Sequence, residues 1–388
     1  MSVNTEVQTN VPLKNSIIPS GTALIWVVVF GVLAAVGLFA AGTILVQGQS
    51  SLAATNLVPW NIFVSAYVFF VVTSTGLCFI SAFGHVVGIH RYEIISKRAV
   101  TMSLIMLAVG MMAILLDIGR PLMMINMLFS PNPTSPMFWM GLLYGVYGFL
   151  LVMELISIIK GNHKATKIWG TLGVLSALVA HGTLGALFGM LYARDLWYGE
   201  YMPIYFILSA FVSGLAALSL FIFLSYGSQK KYIPYKLEGL LSEIGRILAY
   251  ALGALLFFIF WKSVAGLYAG KVETQMLLFG EYAVRFWVFE VIIGILVPMF
   301  ILANKSMRTK GGIVLSAILV LTGLVMARLN LVIVGQLSRP FEQGLASYSA
   351  NALEIMFFAG LFGIAGLLYM IASTILKFEK YEEKMSKQ

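Results

Sequence analysis

The run TALIWVVVFGVLAAVGLFAAGTILV, residues 22–46, contains no charged side chain, and its reading decides the class of fold. A helix needs about 20 mostly apolar residues to cross the hydrocarbon core of a bilayer, and this run is long enough. It is too long for the apolar region of a secretory signal and has no small-residue cleavage pattern behind it, so it reads as a retained span. Nine runs of the same kind follow, at roughly 61–89, 99–117, 137–159, 168–193, 202–225, 239–268, 283–303, 312–336 and 352–376. In lipid every backbone N–H and C=O must be satisfied within its own segment, and none of these runs alternates as a barrel strand would. The sequence therefore predicts an all-α integral membrane fold with ten transmembrane helices. It divides into an N-terminal tail at 1–21, a ten-span domain at 22–376 and a C-terminal tail at 377–388.

Composition points the same way. Of 388 residues, 60% are hydrophobic and 11% charged, against roughly 45–50% and 25% in soluble domains. The single cysteine, Cys78, excludes a disulfide framework, an iron–sulfur cluster or a thiolate zinc site built from this chain alone. The net charge of +9 is scattered over short connections and forms no patch, which argues against nucleic acid as a partner.

Where the charges fall predicts orientation. Seventeen of the 25 lysines and arginines lie in the tails and the even-numbered connections, among them Lys14, Arg91, Lys97, Arg98, Lys164, Lys230 and Lys380. Five, Arg120, Arg194, Lys271, Arg285 and Arg339, lie in the odd-numbered ones, and Arg246, Lys262 and Arg328 fall inside spans. Excess positive charge marks the cytoplasmic side, so both tails are expected there, in a cell inner membrane. The outer connections are the longer ones and carry aromatic and proline-rich stretches at 126–139, 194–203 and 271–282, where a partner would dock.

Ionisable groups inside spans are costly in hydrocarbon and are functional candidates by default. Lys262, Glu290, Arg328 and Glu354 fall in the outer half, as does Asp117 at the end of span three. His181 lies near the middle of span five, and His85 and Glu154 lie toward the inner ends. Two readings stand side by side: paired charges that lock helices together, or acids, histidine and tyrosine at successive depths that relay protons. His90 and His163 fall in connections while His85 and His181 differ in depth, which argues against a haem held by two histidines. Electrons, if handled, would need no metal in this chain.

Several stretches taken in order are similar to a known family. They are Val58-Pro59-Trp60-Asn61-Ile62-Phe63, Leu116-Asp117-Ile118-Gly119-Arg120-Pro121, Ala180-His181-Gly182-Thr183-Leu184-Gly185-Ala186-Leu187, Phe286-Trp287-Val288-Phe289-Glu290 and Ala327-Arg328-Leu329-Asn330, followed by Tyr348 and Glu354. They resemble the NrfD/PsrC family of membrane subunits, and among it the ten-span members of the HybB type found with respiratory nickel–iron hydrogenases. The resemblance covers spans two to ten. It implies two four-helix bundles plus two peripheral helices, no haem, and a quinone-reactive anchor using menaquinone or ubiquinone. It further implies partners on the outer face: a four-cluster ferredoxin-like Fe–S subunit and a large catalytic subunit, either a Ni–Fe hydrogenase or a molybdopterin enzyme.

Carried over by residue, the resemblance places a quinone site at the outer ends of spans two to four. Tyr67 stands where relatives have a quinone-contacting polar residue that can be His or Asp. Tyrosine can hydrogen-bond a quinone oxygen but is a poorer proton acceptor near neutral pH. Asp117 would exchange the proton that accompanies each electron, Arg120 would hold its charge, and Trp60 and Trp139 would flank the ring. His181 matches the family, while Gly182 and Thr183 replace the Gln and Ser often found after it. The rival reading is a secondary transporter with a midplane site. Such a protein would show matched Gly/Pro-interrupted spans in its two halves, whereas Pro298 in span eight stands alone.

Overall fold

The computed structural model describes residues 21–229, 231–338 and 345–387, so Lys14, Lys230, Arg339 and most of the predicted N-terminal tail lie outside the described residues. Ten helices are long and apolar enough to cross a membrane: Ala23–Gln47, Ile62–His85, His90–Asp117, Pro136–Ile159, His163–Gly189, Met202–Ser228, Tyr235–Tyr268, Arg285–Ala303, Lys310–Val334 and Ala352–Leu376. The chain is a multi-pass membrane protein, and these are its spans one to ten. Their ends follow from local chemistry. Asn61, Asn162 and Thr309 cap spans two, five and nine, their side-chain oxygens accepting from Phe63 N at 2.7 Å, Ala165 N at 3.1 Å and Gly312 N at 3.2 Å. Asn351 and Glu354 form a reciprocal capping box at the start of span ten. Pro136 and Pro203 sit in the first turns of spans four and six, where a missing N–H costs no helical bond.

Spans two to five pack as one four-helix bundle and spans six to nine as a second. Spans one and ten pair with each other outside them, span ten resting on spans two and three. Small residues permit the closest crossings. A Cβ on Gly37 would lie 2.5 Å from Gly360 Cα, and one on Gly76 would overlap the Ala210 carbonyl oxygen, where the two bundles meet. In the second bundle two stretches, Arg285–Leu296 and Asn330–Val334, wind as π-helix. Such segments are rare and recur at functional sites.

Span three begins well before residue 99, the expected start, and the difference has a physical cause. Arg98, expected as a cation of the inner connection, is a fully buried residue of this span. Its guanidinium donates from Nε to Glu382 Oε1 at 2.6 Å and from Nη2 to Glu382 Oε2 at 2.8 Å, and it also bonds the Tyr369 hydroxyl. Glu382 belongs to a helix, Phe378–Lys387, that occupies most of the segment predicted as a C-terminal tail. Lys377, in the left-handed region at φ 52°, turns the chain back under the bundles. Glu379 and Glu382 face inward, while Lys377, Lys380, Lys384 and Lys387 stay at least partly exposed. Ser225 and Gln229 from span six bond Glu379, and Tyr226 donates to Glu382 Oε2 at 2.9 Å. The start of span three and the ends of spans six and ten thus meet on this helix.

Candidate quinone-facing site

The start of span two, the end of span three and the start of span ten bring together Asn61, Asp117, Tyr348 and Glu354 on the face opposite the Phe378–Lys387 helix. The capping box fixes Glu354 at the membrane boundary, where Oε2 accepts from Asn351 N at 2.9 Å and from the Tyr348 hydroxyl at 3.0 Å. Its other oxygen accepts from Ala53 N at 3.1 Å. Tyr348 in turn accepts from Ile62 N at 3.3 Å, tying the loop before span ten to the first turn of span two. Burial, with Glu354 beside it, pushes the Tyr348 hydroxyl far above its ordinary range, so it acts as a donor and does not ionise. Asp117 lies beside Glu354 and the Asn61 side chain, and Gln49 Nε2 donates to the Asp117 backbone oxygen at 2.5 Å. Asn61 is fully buried; its amide is turned toward Asp117, but Nδ2 reaches no acceptor at full hydrogen-bond geometry among the described residues. A buried amide donor without an acceptor costs free energy unless something supplies an oxygen.

Below this cluster a column of polar groups descends inside the first bundle. The Tyr67 ring meets the Tyr144 ring edge-on at 6.3 Å. The Tyr144 hydroxyl lies 3.2 Å from His181 Nδ1, and Thr75 Oγ1 lies 3.4 Å from the same nitrogen. Further in, Tyr147 contacts Ser103 at 2.8 Å and Ser74 at 3.2 Å. Ser81 then donates to Glu154 Oε1 at 3.1 Å, and Gly170 leaves room for that carboxylate. Glu154 Oε2, His181 Nε2 and His85 Nε2 are buried and complete no hydrogen bond of full geometry among the described residues, His181 lying close to the Phe206 backbone. Nitrogens and oxygens left open at three depths are where ordered water would sit.

The second bundle has its own polar centre. Asn330 Nδ2 donates to Glu290 Oε2 at 2.9 Å, joining the two π-helical stretches. Lys262 Nζ stands over the rings of Tyr205 at 5.4 Å and Tyr201 at 6.0 Å. Lys262, Glu290 and Asn330 line a cavity of about 40 Å³. Lys262, Glu290 and Arg328 form no direct salt bridge with one another among the described residues, so hydrogen bonds and ring faces do what the helix-locking reading assigned to paired charges.

The structure brings Asp117, Glu354 and the column from Tyr67 to His181, Glu154 and His85 into one bundle and its outer rim. It does not bring the two expected ring-flanking tryptophans together. Trp60 stacks on Trp197 at 5.1 Å and has its backbone N–H and C=O both bonded to the Gln336 side chain at 2.9 Å. Trp139 is 44% exposed, with Nε1 donating to Pro133 O at 2.8 Å. Arg120 is exposed and forms no ion pair with Asp117 among the described residues. Asn61 and Tyr348 stand in stretches singled out from the sequence but without a role there. Tyr144, Thr75 and Gln336 carry no signal that a single sequence displays.

Two four-helix bundles, a peripheral pair of helices and a carboxylate cluster at one end of spans two, three and ten define a polytopic membrane protein. Residues 50–340 match the family described as "Polysulphide reductase, NrfD", and the chain belongs to that family. It is 28% identical to a selenate reductase subunit from Mesobacillus selenatarsenatis, over 92% of this chain and 94% of that protein. It is 26% identical to the Hdr-like menaquinol oxidoreductase integral membrane subunit of Archaeoglobus fulgidus, over 82% of this chain and 84% of that protein.

Proposed function

We propose that this chain is the quinone-reactive membrane anchor of a respiratory oxidoreductase complex of the inner membrane, with both tails cytoplasmic. It would exchange electrons between membrane quinone and an Fe–S subunit docked on the periplasmic face, which serves a large catalytic subunit. The observation that carries this reading is the orphaned Asn61 amide beside Asp117, Tyr348 and Glu354. A quinone oxygen is an acceptor of the kind Nδ2 lacks, so the residues present fit the group. The names of the two relatives, a reductase subunit and a menaquinol oxidoreductase subunit, agree with it.

When bound, a quinone supplies two-electron chemistry that consumes or releases protons. The chain's part is to bind, orient and handle those protons. Asn61 Nδ2 would orient a quinone oxygen, and Asp117 would hold or give up a proton at its carboxylate, while Tyr348, its one proton donated to Glu354, and Glu354 with its three hydrogen bonds stay fixed as the wall of the site. The apolar side chains of Leu122, Met123, Ile125 and Phe129, exposed just beyond span three, offer a lipid-facing approach. Titration of the purified protein with a menaquinol analogue, whose hydroxyl can donate to a carboxylate, should give an affinity roughly ten- to a hundredfold weaker in Asp117→Asn, the cost of one charge-assisted hydrogen bond. Unchanged affinity in a folded variant would refute the site.

The column beneath extends the reading to proton movement across the bundle. In liposomes holding the complex, Glu154→Gln should abolish quinol-driven pH change while leaving electron transfer in place. If pH change and electron transfer fall together, the column has no separate proton role.

A further inference from the structure

Span six is the wall between the two bundles, and Ser209 crosses it. Its hydroxyl is fully buried, donates to the Phe206 carbonyl oxygen at 2.9 Å and accepts from Arg328 Nη2 of span nine. A serine has one proton to give and lone pairs to receive, so both capacities are in use. On the first-bundle side the His181 ring lies 5.9 Å from the Phe206 ring and close to the Phe206 backbone. On the second-bundle side the Arg328 guanidinium lies 4.9 Å from the same ring and 5.5 Å from that of Tyr205. His181 and Arg328 are both essentially inaccessible, and each has one nitrogen, Nε2 and Nη1, that completes no hydrogen bond of full geometry among the described residues.

The charged and titratable groups around Arg328 come from four spans, while span two, which also packs on span nine, contributes none. His181 faces it from span five, Tyr205 from span six, Lys262 from span seven and Glu290 from span eight. Two permanent or potential cations therefore share one carboxylate with the Arg328 guanidinium in a dry interior. The cavity beside Glu290, about 40 Å³, is roomy enough for a few waters that could solvate a change of charge there.

We propose that Arg328, positioned by Ser209, is a counter-charge common to both bundles, through which the protonation state of His181 sets that of Glu290. Arginine keeps its proton throughout, so what it transmits is position: a proton on His181 repels the guanidinium toward Glu290, where its charge favours the ionised carboxylate. A proton arriving on His181 places a second positive charge near Arg328. Ionised Glu290, with water in the cavity, relieves it. Ser209 is a positioning residue: without it the guanidinium loses the bond that holds it against span six. Coupling between two sites through one shared element is commonly worth about five- to a hundredfold in equilibrium.

This inference rests on the reading of His181 as part of a proton-bearing column, but its test needs no quinone and so fails separately. In the full-length detergent-solubilised protein, the infrared carboxyl band of Glu290 is assigned by its loss in Glu290→Gln and followed through a pH titration. His181→Asn should move the midpoint of that band by about one pH unit, a tenfold change, although the two side chains do not touch. The shift should largely vanish when His181→Asn is placed in a Ser209→Ala background, and vanish in an Arg328→Gln background. One of the two backgrounds suffices if the other does not fold. A midpoint unmoved by His181→Asn, or moved equally in either background, overturns the proposal. So does a band that fails to titrate between about pH 4 and 10 in every variant, since nothing is then transmitted.

Discussion

Glu354 shows how an acid is kept at a membrane boundary: three hydrogen bonds from backbone and phenol hold it, so it needs no cation. Glu273, in the outer connection after span seven, is held more weakly. Ser338 bonds one oxygen, the other has no partner, and burial raises its carboxyl above the ordinary value of 4.5. The folded protein therefore binds this proton more tightly than the unfolded chain does. The associated stability is complete below pH 4.5 and is lost as pH rises through the raised value. Melting of the solubilised protein should show the parent gaining on Glu273→Gln at about pH 4 and losing that advantage by about pH 8. A pH-independent difference would show that Glu273 titrates ordinarily. At this scale the sequence reveals some residues and hides others. Asp117, His181 and Glu354 stand out because an ionisable group in an apolar run is costly. Gln336 does not, because the Trp60 backbone it clamps is 276 residues away.

The helix Phe378–Lys387 inverts the usual amphipathic pattern, turning acids inward and lysines outward. It does so because Arg98 is already buried above it. Replacing Glu382 alone by Gln leaves that guanidinium with Glu379 at 3.8 Å as its remaining carboxylate and should destabilise by about 3–5 kcal/mol. Changing Arg98 and Glu382 together to Met and Leu should cost much less, because the one carboxylate left, Glu379, keeps its hydrogen bonds from Ser225 and Gln229. Thermal melting of the three proteins decides; equal losses in the single and double variants would mean that the pair does not hold the inner ends. Spans four, six and ten are legible nearly to the residue, since proline or an Asx cap marks where apolar sequence starts. The inward extension of span three is not. Its Glu93, Lys97 and Arg98 read as a loop until the acids of a segment some 280 residues later are folded against them.

The whole molecule divides into two bundles of four spans with an outer pair, an arrangement that the ordered family stretches implied and that composition alone could not. Which face is which rests on the placement of lysine and arginine. A cysteine placed at Glu200 should react with an impermeant maleimide from outside intact cells, and one at Lys164 only after the membrane is opened. The native Cys78 is buried and stays silent. The reverse pattern would invert the proposed orientation and put the Asn61 cluster on the wrong side for its partner. The helix under the bundles also has a consequence for biogenesis. Span three is threaded into the bilayer early in translation, yet the carboxylates that neutralise Arg98 are synthesised only after all ten spans. Until then Arg98 must wait at the hydrated headgroup layer, so the inner face of both bundles closes late, as a step of assembly distinct from insertion.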